Sequence, residues 1–205
     1  MVGCLLTTQQ RAGPGYPVNR ILNLDPFPLR YEKCVDQRDL ESFIENTLTS
    51  LGGIRMAPTI AKRSTENLAR LEGGMFEYLI SMLLDIERVS DKRSERSIAR
   101  AIDIELIGFG PKQSRNLIQW LGTSVYETPI DSRVIKWFIR NLSLDFLDAD
   151  RLSDLSYYER VLDVVQELCA SADVLPCLFD AAVFSSVDED GWSNENLRSS
   201  MLLGA

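Results

Sequence analysis

Apolar residues recur three and four positions apart along most of the chain, and no segment alternates apolar with polar as a half-buried strand does. The pattern therefore predicts an all-α protein. The opening MVGCLLTTQQRA reads as a helix already under way, with no capping residue before its apolar run, which predicts a further segment upstream; GPGYP at 13–17 ends it. Asp36 is expected to cap a helix carrying Leu40, Phe43, Ile44, Leu48 and Leu51, stopped by Gly52-Gly53. Pro58 suits a first helical turn, and the helix it opens should run to Gly73-Gly74. Then come the strongly apolar 75–87, a basic amphipathic helix over 91–106 opened by Ser90-Asp91, and a helix over 111–121 directly after the turn IGFG. Asp131 is placed to cap 132–142, and two more helices are expected over 156–171 and 176–187, while the polar 188–205 with its apolar tip should be weakly ordered.

Composition fits an ordinary globular protein, with 45% apolar and 25% charged residues. At 205 residues one core can form, or be divided between two lobes facing a cleft. No stretch approaches the roughly 20 apolar residues that cross a bilayer, and the N-terminus lacks the basic region and cleavage site of a signal peptide, so a cytosolic protein without membrane contact is expected. Cys4, Cys34, Cys169 and Cys177 never form a C-x2-C pair, and the chain has no histidine, so the usual zinc sites cannot be assembled. Reduced, mostly buried thiols are expected. The missing histidine also removes the Ser-His-Asp and Cys-His arrangements, which leaves carboxylates, amines and hydroxyls for any catalysis.

A net charge of -8 argues against nucleic acid as a partner until its distribution is read. Residues 141–205 hold 13 acidic and 3 basic side chains, leaving 17 acidic and 19 basic in 1–140. The first part can present a locally positive face, or the acidic surface can simply be solvated.

Candidate chemistry concentrates in ELIGFGPKQSRNLIQWLGTSVYETPIDSRVIKWF, residues 105–138. Gly108 and Gly110 allow a tight turn without Cβ atoms, so the backbone can approach a phosphate while the N–H groups opening the next helix attract negative charge. On those glycines alone, a plain helix-helix connection is the better reading. A dinucleotide-binding turn does not, because a helix precedes them rather than a strand. Lys112 stands at a helix start, where the dipole disfavours a cation and so favours the neutral, nucleophilic amine; it can also be a surface lysine touching phosphate. Asp131 can accept backbone N–H bonds and stay ionised, either as a cap alone or as a reacting carboxylate.

Taken together, Leu106, Gly108, Gly110, Lys112, Pro129 and Asp131 resemble, in order and spacing, the helix-hairpin-helix and Gly/Pro-Asp signature of base-excision DNA glycosylases. Upstream, LLTTQ resembles the helix that places a Gln near the lesion, and LGGIRMAPTIAKRSTENLARL resembles the wedge loop and its following helix. The resemblance implies a two-lobed helical fold, a first lobe over 1–124 with the hairpin motif at about 98–121, and a second over 125–205, with Lys112 and Asp131 facing each other across the cleft. It implies a glycosylase/abasic-site lyase in which the Lys112 amine attacks the sugar C1′ as the damaged base leaves, forming a Schiff base that then eliminates the 3′ phosphate. Asp131 would stabilise the developing oxocarbenium ion and assist proton transfer. Ile107, Gly108, Phe109 and Gly110 would anchor DNA. Ile54 would fill the gap left by the extruded nucleotide, and Gln9, with Gln10, would contact bases near the lesion. Arg115, Arg133 and Lys136 would touch phosphates, or serve as solvated helix charges.

Many relatives bearing this lysine hold an iron-sulfur cluster on four C-terminal cysteines; Cys169 and Cys177 alone cannot, so no cluster and no other cofactor is expected. A monovalent cation between hairpin carbonyls and a phosphate is compatible with the pattern. Relatives without the cluster point to oxidised guanine as substrate. Ile107 stands where the family often has Pro, and Arg133 where it often has His; neither replaces a reacting group. The expected partner is double-stranded DNA with a damaged base or abasic site, met by a monomer at the nucleoid or in a nucleus. Two other readings fit the same residues: a helix-hairpin-helix module that only binds DNA backbone, and a helical protein-interaction domain whose acidic C-terminal part meets a basic partner.

Overall fold

A computed structural model describes residues 1–8, 10, 13, 15–88 and 91–187. It is helical, with no strand among the described residues. The expected weak order of 188–205 lies outside the described residues. Eleven α-helices are described: α1 (Val2–Leu6), α2 (Pro17–Leu22), α3 (Tyr31–Val35), α4 (Leu40–Leu51), α5 (Ala57–Arg70), α6 (Phe76–Arg88), α7 (Lys92–Glu105), α8 (Pro111–Trp120), α9 (Ser132–Leu142), α10 (Leu155–Ser171) and α11 (Pro176–Val187). A π-turn, Leu71–Met75, joins α5 to α6, and Gly74, with φ of 108°, makes the kink between them. No single described helix is long and apolar enough to cross a membrane.

Several helices begin where side-chain chemistry dictates. Asp91 caps α7 by accepting from the N–H groups of Arg93 and Ser94, and Asp154 caps α10 through Tyr157 N–H. Helix α4 is capped by Asp39, which accepts from Ser42 N–H, and not by Asp36, because Asp36 closes the short α3. The opening helix is shorter than expected, ending at Leu6.

Contacts divide the chain into two compact units, one of residues 1–65 and one of residues 66–187. This division falls inside α5, away from the expected 124/125. The physical reason is a polar network that ties the hairpin helices to the segment beyond it. Glu95 of α7, fully buried, accepts from the N–H groups of Val125, Tyr126 and Glu127 at 3.0, 2.7 and 2.9 Å. Helices α7 and α8 therefore belong with α9 to α11. In this unit Ile130, Val134, Ile135 and Phe138 pack with Tyr158, Leu162, Val165 and Val183, and the Phe138 and Phe179 rings stack 5.6 Å apart, setting α11 against α9. In the other unit Cys4, Leu5, Leu6, Ile44, Leu48 and Ile60 are buried. All four cysteines are free thiols, three of them buried.

Candidate functional site

The hairpin turn between α7 and α8 needs glycine once for its own sake. Gly108 has φ of 82°, which an L side chain rarely adopts. Gly110 is different: its φ is −89°, and a Cβ there would meet nothing within 4 Å. The protein's own packing does not require glycine at 110, whereas an outside group approaching the backbone closely would. Asn67 of α5 fixes the turn by donating to the Ile107 carbonyl at 2.9 Å and accepting from the Ile107 N–H at 2.7 Å. Phe109 is buried and its N–H donates to the Leu106 carbonyl. Both backbone groups of Ile107 and the N–H of Phe109 are thus engaged inside the protein, which fixes the turn that carries Gly108 and Gly110.

Pro111 opens α8 and sets Lys112 in its first turn. Asp131 caps α9, accepting from Arg133 N–H at 2.8 Å. The two side chains meet: Lys112 Nζ lies 3.3 Å from Asp131 Oδ2. Both belong to the 66–187 unit. The same Oδ2 also accepts from Arg133 Nε at 3.1 Å and Nη2 at 2.8 Å. Burial works to raise the Asp131 pKa, but the Arg133 hydrogen bonds and the charges of Lys112 and Arg133 outweigh it and lower the carboxyl to about 2. Asp131 is an anion at any physiological pH.

A second carboxyl stands beside this pair. Asp180 of α11 takes a long hydrogen bond from Gln119 at 3.4 Å and senses the charges of Asp131, Lys112 and Arg133. Burial raises its pKa to about 7, against the Gln119 hydrogen bond; the Asp131 anion adds to the rise, while the two cations oppose it. Two carboxyls in one site are therefore driven apart, one fixed as an anion and the other exchanging its proton near neutrality. One turn on, Phe184 carries the Arg133 guanidinium 4.2 Å above its ring.

The loop over 123–131 that delivers Asp131 is held from both sides. Glu127, fully buried, pairs with Arg96 at 2.8 Å and with Arg115 at 2.9 Å. Arg115 is itself fully buried, also reaching Glu159 at 3.5 Å, the Pro111 carbonyl at 3.2 Å and the Tyr158 ring at 5.1 Å. Its expected contact with phosphate is corrected: two buried carboxylates hold the guanidinium where it cannot reach DNA. Lys136 is exposed on α9, and Arg133 is partly exposed while bound to Asp131.

Ile54 lies in the other unit, half-buried in the loop between α4 and α5; Gln10 there accepts from Arg55 N–H at 2.9 Å. Gln10 thus shapes the loop. Gln9 lies outside the described residues. Among the described residues no three His, Cys, Asp or Glu side chains converge on a metal position.

Sequence reasoning missed Asp180, Asn67 and the Glu95–Glu127 support. The signals were present as polar residues on apolar stripes: Asp180 interrupts PCLFDAAVF, and Ser64 and Asn67 continue the buried Ile60 face of α5. Against known proteins, no family model matches the chain, and neither a curated protein nor a solved structure shows significant similarity to it.

Proposed function

We propose that the chain is a bifunctional DNA glycosylase/abasic-site lyase acting on an oxidised, 8-oxoguanine-like base by Schiff-base chemistry. The observation that carries this reading is the 3.3 Å approach of the Lys112 amine to an Asp131 carboxylate held as an anion. A surface lysine needs no such partner, and a capping aspartate needs none either. Gly110, where the protein leaves open space for a Cβ, supports a backbone approach by a phosphate at the same end of α8.

In this reading Lys112 first gives up the proton of its ammonium, and the neutral amine then bonds to C1′ as the C1′–N bond of the flipped nucleotide breaks and the base leaves with that electron pair, taking up a proton. Opening of the C1′–O4′ bond yields the protonated Schiff base. Loss of a C2′ proton and departure of the 3′ phosphate follow. Asp131 stabilises the positive charge that develops at C1′, and Asp180, exchanging its proton near neutrality beside Lys112, is the group suited to take up the amine's proton. Neither role requires a cofactor.

Single-turnover assays on duplexes bearing one lesion each test the reading. Release of 8-oxoguanine with strand cleavage on its 3′ side is expected from the wild type, and loss of cleavage from Lys112→Ala. Salt-sensitive duplex binding without base release from any lesion would favour a helix-hairpin-helix module that only grips the backbone. No salt-sensitive binding at all would favour a protein-interaction domain.

A further inference from the structure

Asp131 follows a run, Thr128-Pro129-Ile130, that lies in no helix and whose proline has no N–H to offer. The two backbone groups flanking the proline both go to one atom. The hydroxyl of Tyr158, on α10, accepts from Ile130 N–H at 2.6 Å and donates to the Thr128 carbonyl at 3.0 Å. Tyr158 is fully buried, and its ring lies against Arg115, which extends from α8, the helix of Lys112, to Glu127.

We propose that Tyr158 is a positioning residue for Asp131: its hydroxyl, bridging the backbone on both sides of Pro129, sets where the Asp131 carboxylate meets the Lys112 amine. Burial pushes the phenol well above its usual range, so the O–H always has its proton to donate. A hydrogen-bonding atom that both donates to Thr128 and accepts from Ile130 constrains the peptides before and after the proline together, and the next residue is Asp131 itself. The kinetic part of the proposal rests on the glycosylase reading. The geometric part does not.

The test is Tyr158→Phe, which keeps the ring and removes the bridging oxygen. The groups facing the Asp131 carboxylate are Lys112, Arg133 and Asp180. Followed by carbon NMR, Asp131 should titrate far below the ordinary carboxylate range in the wild type and closer to it in the variant, because its fit to Lys112 and Arg133 loosens. Single-turnover base release should fall about tenfold or more, with duplex affinity changed less than about twofold. In a double-mutant cycle, Tyr158→Phe should cost almost nothing further when Asp131 is already Asn. An unchanged Asp131 titration, or a rate loss that multiplies that of Asp131→Asn, overturns the proposal. If the Phe variant does not fold, hydrogen exchange of the wild type decides: Ile130 N–H should exchange only through global unfolding, and exchange at the rate of an open loop overturns the proposal. A wild type that releases no base removes the glycosylase reading but leaves the titration and exchange measurements standing.

Discussion

Two loops carry the side chains singled out for contact with a nucleotide, and they are held by opposite means. The loop over 123–131 has no left-handed residue; it is fixed by buried side chains from other elements, with Glu95 accepting three consecutive N–H groups, Arg96 and Arg115 bracketing Glu127, and Tyr158 bridging the run before Asp131. The loop over 52–56 carries its conformation in its own backbone. Gly52, Gly53 and Met56 have φ of 73°, 74° and 60°, a Cβ on Gly53 would sit 2.5 Å from Pro17 Cγ, and Gln10 Oε1 accepts from Arg55 N–H. A carboxylate that must meet an amine within tenths of an ångström is anchored by groups that are costly to disturb. Ile54, which in the proposed function has only to fill space, is half-buried and carried on a turn.

The contrast breaks most sharply at Glu127. Its replacement by Ala leaves the fully buried Arg115 guanidinium short of its closest partner and should cost about 3–5 kcal/mol in urea unfolding. A loss under about 1 kcal/mol would mean that the 123–131 loop is not held as described. Next in size is Asp180→Asn. A carboxyl whose folded-state pKa is raised contributes stability in full below its unfolded value, near 4, and loses it as pH rises through the folded value of about 7. The Asn variant should therefore be more stable than wild type at pH 8, by up to about 4 kcal/mol, with the difference vanishing below about pH 4. Equal stability at pH 8 would show that the site holds no strained carboxyl. A residue whose removal stabilises the fold marks a place where function is set against stability.

Asp131 has the reverse sign. Its folded-state pKa is depressed to about 2, so its contribution is present above the unfolded value of 3.8 and is lost as pH falls through 2. Wild type should lose about 2 kcal/mol from this group between roughly pH 4 and 2, a loss missing from Asp131→Asn; matching acid limbs would contradict the pairing with Lys112 and Arg133. The smallest effect belongs to the other loop. Met56→Gly relieves a left-handed L-residue, which is offset by a more flexible unfolded chain, so the net change in melting should stay within about 1 kcal/mol. A larger loss would mean that the Met56 side chain holds the 52–56 turn.

Local chemistry made much of the fold legible. Periodicity placed α8, α9 and α11 closely, and Asp91 and Asp131 cap the helices they precede because capping depends only on residues within one turn. The short α2 and α3 escaped, since five or six residues carry too little periodicity to register. The division into contact units was not legible because it depends on where Glu95 and Arg115 send their charges, a partner choice no local pattern encodes. For the same reason Arg115 read as a phosphate contact and is buried. Lys112 and Asp131 were legible because both sit at helix starts with a proline close by, whereas Asp180 lies inside an apolar helix where a single acid passes as an exposed position.

In the proposed function the Lys112 amine performs the nucleophilic step. Borohydride reduction of the wild-type protein on a duplex with an abasic site, followed by peptide mapping of the trapped adduct, would locate that amine. One covalent adduct is expected, on Lys112, lost in Lys112→Ala. An adduct mapped to another amine, or none in a preparation that binds the duplex, would contradict it.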